Sequence, residues 1–127
     1  MKQLKLLFAS VFALLLGTAP SWAQETPFIT TWQVTSDDLL LTIPTSNLNY
    51  DFTIDWGDGI TETITGFDPE PEHTYTSAGT YTVSIRGTFP HLYHSGSVTD
   101  NAAKLQTVEQ WGNIEWQSME QMFYNAS

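Results

Sequence analysis

The sequence predicts a mainly β protein built as an antiparallel β-sandwich, and three observations predict it. Tyr50, Phe52, Ile54 and Trp56 alternate with polar residues, the period of a strand with one buried face. Tyr81, Val83 and Ile85 alternate in the same way within Thr80–Arg86. Turn signals recur at short spacing, and no helical period runs through residues 28–89. A small closed barrel fits the same pattern as the alternative.

Residues 1–23 read as a secretory signal peptide. Lys2 and Lys5 form a basic start, Leu6–Gly17 is apolar, and Ser21 and Ala23 are the small residues before a cut at Gln24. The apolar run is shorter than the ~20 residues a spanning helix needs, so a membrane anchor is the weaker reading. No Cys follows, which excludes a lipid on a new N-terminal Cys.

Phe28, Thr30, Trp32 and Val34 mark a first strand, and Ser36-Asp37-Asp38 a turn. Leu39, Leu41 and Ile43 share a face of a second strand, which Pro44 ends. Thr45–Asn49 is a polar loop. The central hairpin follows: Asp58-Gly59 reverses the chain, and Ile60–Thr65 returns it. Asp68-Pro69-Glu70-Pro71-Glu72 is an exposed connection. His73-Thr74-Tyr75 leads into the turn Thr76-Ser77-Ala78-Gly79, and the strand Thr80–Arg86 extends towards Phe89.

Residues 24–94 thus form the β domain, and 95–104 read as a linker. Beyond it, Leu105, Val108 and Trp111 suggest a short strand or turn ending at Gly112. Asn113 can cap an amphipathic helix of about ten residues, because Trp116, Met119, Met122, Phe123 and Ala126 lie at helical spacings.

The formal net charge is −10. Loss of Lys2 and Lys5 leaves Arg86 and Lys104 against the 14 acidic residues, a net charge of about −12. Such a surface excludes nucleic acid and anionic membranes as partners. No membrane insertion is expected after cleavage. Without Cys, stability rests on packing, and 5 Trp, 5 Tyr and 7 Phe can supply it.

Asp55-Trp56-Gly57-Asp58-Gly59, then His73-Thr74-Tyr75, then Ala78-Gly79-Thr80-Tyr81-Thr82-Val83 resembles polycystic kidney disease (PKD) domains. The family usually places a short spacer between its Trp and the Gly-Asp-Gly; here Trp56 abuts Gly57, so the chain looks like a PKD-like relative. The resemblance implies an Ig-like sandwich and structural roles for Asp55, Trp56, Gly57, Asp58, Gly59, His73, Tyr75, Gly79 and Tyr81. His73 would pack or bond beside the hairpin, and Tyr75 would bond backbone as a corner tyrosine does. The tail, Leu105-x-x-Val108-x-x-Trp111-Gly112-x-Ile114-x-Trp116-x-Ser118-Met119-x-x-Met122-Phe123, resembles the entry repeat of BspA-like leucine-rich-repeat bacterial surface proteins. About three repeats are needed for stability, so on this resemblance the chain reads as a fragment of a larger repeat protein.

Several residues invite chemistry. Asp55 and Asp58, or Asn47, Asn49 and Asp51, could ligate Ca²⁺; the plainer reading is a turn in which Asp58 caps its own backbone and Asp55 faces solvent. Asp68, Glu70 and Glu72 read as a solvated run. His73 is a weak candidate base, and His91 and His94 lack a convincing third zinc ligand. Paired carboxylates formally allow glycoside hydrolysis, but no nucleophile elbow or metal motif accompanies them. No enzyme and no obligate cofactor are therefore expected.

Trp111, Trp116, Met119 and Phe123 form a second apolar surface that either docks on the sandwich or meets a partner. The expectation is a secreted or cell-surface (or periplasmic) module, adhesin-like, with the β domain as spacer and protein or extracellular matrix as partner. Two alternatives remain: a small glycan-binding module, against which the inward Trp32 and Trp56 count, and an accessory domain of a secreted hydrolase.

Overall fold

The computed structural model describes residues 25–94 and 99–126. The expected signal peptide, residues 1–23, lies outside them, as do Ser95–Val98 of the expected linker. Among the described residues, seven strands and one short helix follow in order: β1 Phe28–Val34, β2 Leu40–Thr42, β3 Asn49–Asp55, β4 Thr61–Phe67, β5 Glu72–Thr74, β6 Gly79–Thr88, α1 Thr99–Lys104 and β7 Leu105–Gln110. They make a five-stranded antiparallel sheet in the order β4-β3-β6-β1-β7 and a two-stranded sheet of β2 and β5. The mainly β, Ig-like sandwich is the fold the alternation predicts.

The predicted faces hold along the long strands. Phe28, Trp32 and Val34 of β1, Tyr50, Phe52 and Ile54 of β3, and Val83 and Ile85 of β6 are all buried. They meet Leu41, Ile43 and Tyr75 from the β2–β5 side in one core. Thr30 is also buried, and it accepts the Trp32 indole N–H at 2.7 Å, so two buried polar groups satisfy each other.

β5 is a strand where the sequence suggested only a lead into a turn. Three residues are too few to show a period. Its ladder with β2 is extended at both ends by Ile43 N donating to Pro71 O at 2.9 Å and Tyr75 N donating to Leu39 O at 3.0 Å. Proline cannot donate, but its carbonyl can accept, so Pro71 borders a strand without breaking it.

The C-terminal part departs most from expectation. Thr99–Lys104, placed in the linker, is helical: Ala102 is buried, and Lys104 Nζ bonds Asp38 Oδ2 at 2.8 Å and Leu40 O at 2.6 Å. β7 pairs with β1, Thr107 facing Thr31 with their hydroxyls 2.6 Å apart, and Leu105 enters the core. Residues 105–110 are therefore the edge strand of the sandwich and share its core. Gly112 (φ 69°) lets the chain pass the N-terminal segment, because a Cβ there would meet the Thr26 and Pro27 carbonyls.

The amphipathic helix expected after Gly112 is absent. Residues 120–125 form successive turns, with Gln121 and Asn125 at positive φ. Met122 N donates to Met119 O, Tyr124 N to Gln121 O, and Ala126 N to Phe123 O, each spanning three residues. The Glu120 and Met122 carbonyls accept from His91 and His94, and the Gln121 carbonyl accepts from His94 N. A helix would aim those carbonyls along its own axis at the N–H groups four residues on, whereas here they face the two histidines. Asn113 caps no helix either: its Oδ1 accepts from Thr26 N at 3.1 Å, and its own N donates to Thr26 O at 3.0 Å.

Candidate functional site

Two groups of residues stand out. The first is the hairpin turn. Trp56, fully buried, has its ring stacked on His73 with centroids 4.9 Å apart. His73 meets Tyr75 edge-on at 4.7 Å, and Tyr75 stacks on Tyr81 at 3.8 Å. The Tyr75 hydroxyl donates to Trp56 O at 2.7 Å, and that of Tyr81 to Ser77 O at 2.8 Å. Burial, then the nearby Asp58 charge, pushes the Tyr75 phenol well above its ordinary value, so it stays a donor.

The two aspartates hold the turn. Asp55 Oδ1 accepts from Gly57 N at 2.9 Å, and Asp58 Oδ1 from Ile60 N at 3.2 Å. Asp58 Oδ2 is 2.7 Å from His73 Nε2, a contact the sequence did not foretell. Burial works against the Asp58 carboxylate, but the bonds from His73 and from Ile60 N outweigh it and hold its pKa below the usual range. Gly57 (φ 85°) sits against Thr82 backbone, where any Cβ would collide with the Thr82 carbonyl. Gly79 opens β6 opposite Val34 and has ordinary room around it. Among the described residues no group of three or more His, Asp or Glu side chains converges as metal ligands would. Asn49 and Asp51 lie within β3, so the loop expected to gather Asn47, Asn49 and Asp51 is not formed.

The second group is the aromatic tail. Trp116 packs against Phe28 (5.0 Å) and Phe89 (6.1 Å), and is partly buried on the core. Trp111 lies 5.7 Å from Phe28 and 6.1 Å from both Trp116 and Phe123. Trp111 is 42 % exposed, Met119 52 %, Phe123 45 % and Tyr124 50 %. The apolar surface is thus divided. Trp116 and the fully buried Met122 dock it on the sandwich, while Trp111, Met119, Phe123 and Tyr124 are left outside. The sequence named all but Tyr124, whose signal was simply a further aromatic beside Phe123.

Two clefts border these elements. One of about 680 Å³ lies between the 44–48 loop, the acidic connection and the 91–94 segment, with Asn47, Asp68, Glu70, Glu72, His91 and His94 on its walls. Thr45 stitches two of those loops, donating to Asp68 Oδ1 at 2.7 Å and accepting from Glu70 N at 3.1 Å. The other, about 610 Å³, lies beside Trp116 and is lined by Glu25, Thr88, Asn113, Glu115 and Gln117 among others.

The model of the PKD domain family matches residues 17–90, more than half of the chain. No curated protein and no solved structure matches it.

Proposed function

The chain belongs to the PKD domain family, and from that premise we propose that it is a secreted or cell-surface, non-enzymatic module of adhesin-like character. PKD domains are typically extracellular adhesion or spacer modules with a non-catalytic Ig-like fold. The sandwich acts as the spacer, and the aromatic tail is the face that contacts protein or extracellular matrix. The observation that carries this reading is the exposure of Trp111, Met119, Phe123 and Tyr124 beside aromatics anchored in the core. Aromatic residues and Met are enriched where proteins meet, and anchoring spares the entropy of ordering them on contact. The leader-like residues 1–23 support export, and no described helix is long and apolar enough to cross a membrane. That 105–127 is the entry to a BspA-like repeat array rests on residue spacing alone.

The test is binding of the processed chain to immobilised extracellular-matrix proteins, with Trp111→Ser/Phe123→Ser alongside. Saturable binding that the double variant loses supports the reading. Binding unchanged by the substitutions, or none at all, overturns it.

The cleft beside Trp116 favours a second reading, a glycan-binding module. An aromatic ring flanked by amide and carboxylate side chains suits the C–H faces and hydroxyls of a neutral sugar. Affinity electrophoresis in neutral polysaccharides separates the two: retardation lost in Trp116→Ala but kept in the double variant favours glycan, and no retardation removes this reading.

A further inference from the structure

We propose that His91 and His94 form an acid-sensitive latch, which holds the tail 119–126 on the sandwich at neutral pH and releases it under mildly acidic conditions. Pro90 O anchors the start of the tail by accepting from Gln117 N at 2.9 Å. Apart from Glu120 N donating to Ser118 Oγ at 3.1 Å within the tail itself, every hydrogen bond among the described residues that ties 119–126 to the sandwich comes from the two histidines. His91 Nε2 donates to Glu120 O at 2.7 Å, His94 Nδ1 donates to Met122 O at 2.7 Å, and His94 N donates to Gln121 O at 3.2 Å. Both side chains are buried, at 7 % and 3 % exposure.

Because a carbonyl only accepts, these bonds fix the tautomers: His91 carries its proton on Nε2, and His94 on Nδ1. The opposite nitrogens then differ. Nδ1 of His91 lies 3.1 Å from Ser46 Oγ, which can donate to the neutral ring or turn to accept from the charged one. Nε2 of His94 is buried with no partner among the described residues. A proton added there creates a buried cation whose N–H has no acceptor. His94 is thus the sensor, and His91 a second hold.

No side chain among the described residues bonds His94 Nε2, and the buried Gln121 Oε1 is likewise without a partner. Trp32 of β1 lies 6.3 Å away, and Met122 supplies only the carbonyl already bonded. The cleft that His94 helps to line carries Asp68, Glu70, Glu72, His91 and Tyr93, but none of them bonds its Nε2, and Asp68 is engaged by Thr45. Burial lowers the His94 pKa, against a smaller opposite pull from the Met122 carbonyl.

The sign follows from linkage. A histidine whose closed-state pKa is depressed binds protons more readily once the tail has opened. The open fraction is therefore least above about pH 6.5, and rises as pH falls, by up to about tenfold per pH unit until the closed-state value is reached. Opening carries Met119, Phe123 and Tyr124 away and uncovers Met122, while Trp111 stays at the end of β7. On the proposed function, and only for this consequence, a ligand held across both parts is let go in acid.

The experiment needs no ligand, so its failure is distinct from failure of the binding reading. Amide exchange of 119–126 in the processed chain is measured at pH 7.5 and 5.5, corrected for intrinsic rates. The expected result is a rise in tail opening of up to about tenfold at the lower pH, with the amides of β1, β3 and β6 unchanged. His94→Asn keeps a side-chain N–H near Met122 O but cannot titrate, and should abolish the response. Equal opening at both pH values, or the same response in His94→Asn, overturns the latch. Should that variant not fold, imidazole NMR of the native chain decides: a neutral Nδ1–H tautomer with a midpoint below that of free histidine is expected, and a midpoint at or above it refutes the proposal.

Discussion

The Tyr75 hydroxyl donates to the backbone carbonyl of Trp56 across 2.7 Å, tying the segment after β5 to the mouth of the central hairpin. The bond is buried, and the rings of Trp56, His73, Tyr75 and Tyr81 are packed around it in sequence. Tyr75→Phe keeps the packing and removes the donor, leaving a buried carbonyl unsatisfied. A loss of about 1–2 kcal/mol is expected, read from urea unfolding with an unchanged m-value.

Trp56 is the larger support. It is fully buried between the hairpin and β5. Trp56→Ala should cost about 3–5 kcal/mol as a large-to-small core change, enough to unfold a small domain at body temperature. Its indole N–H is buried without a partner among the described residues. Trp56→Phe, which discards that donor, should therefore lose much less than Trp56→Ala, as thermal unfolding of the two variants would show.

Two glycines of one turn should respond differently. Gly57 and Gly59 both have positive φ, at 85° and 93°, but a Cβ at Gly57 would strike Thr82 backbone while one at Gly59 meets open space. Gly59→Ala bears only the conformational penalty, about 1 kcal/mol. Gly57→Ala must also push β6 aside, and should be clearly worse in the same denaturant series.

Acid should weaken the turn. The folded-state pKa of Asp58 lies below its unfolded value because His73 and Ile60 N bond its carboxylate. The contribution is fully present above about pH 3.9 and is lost as pH falls through the folded value. Asp58→Asn should flatten the pH dependence of stability in that range, measured by unfolding at stepped pH.

How much of this was legible follows from which contacts are local. The hairpin and strands β1 and β6 announce themselves, because a period of two with aromatic residues on one face seldom arises outside a half-buried strand. β5 has three residues and exists through its pairing with β2, so no local pattern shows it. The helix over Thr99–Lys104 is fixed by Ala102 entering the core and Lys104 reaching Asp38 and Leu40, contacts distant in sequence. Trp116, Met119, Met122 and Phe123 do have helical spacing, but the carbonyls such a helix would use belong to His91 and His94. At the candidate face the apolar side chains were readable, whereas their division between docked and exposed depends on Phe28 and Phe89, far upstream.

The central claim is that the C-terminal segment is built into the sandwich and so presents its aromatic face at a fixed place. Native-state amide exchange at neutral pH tests it most directly, by comparing β7 with β1. Protection of the paired β7 amides, those around Thr107 and Val108, within about 1–2 kcal/mol of the β1 and β6 values is the predicted result. Free exchange across 105–110 while β1 and β6 stay protected would contradict the account, because the aromatic tail would then hang from the sandwich and not belong to it.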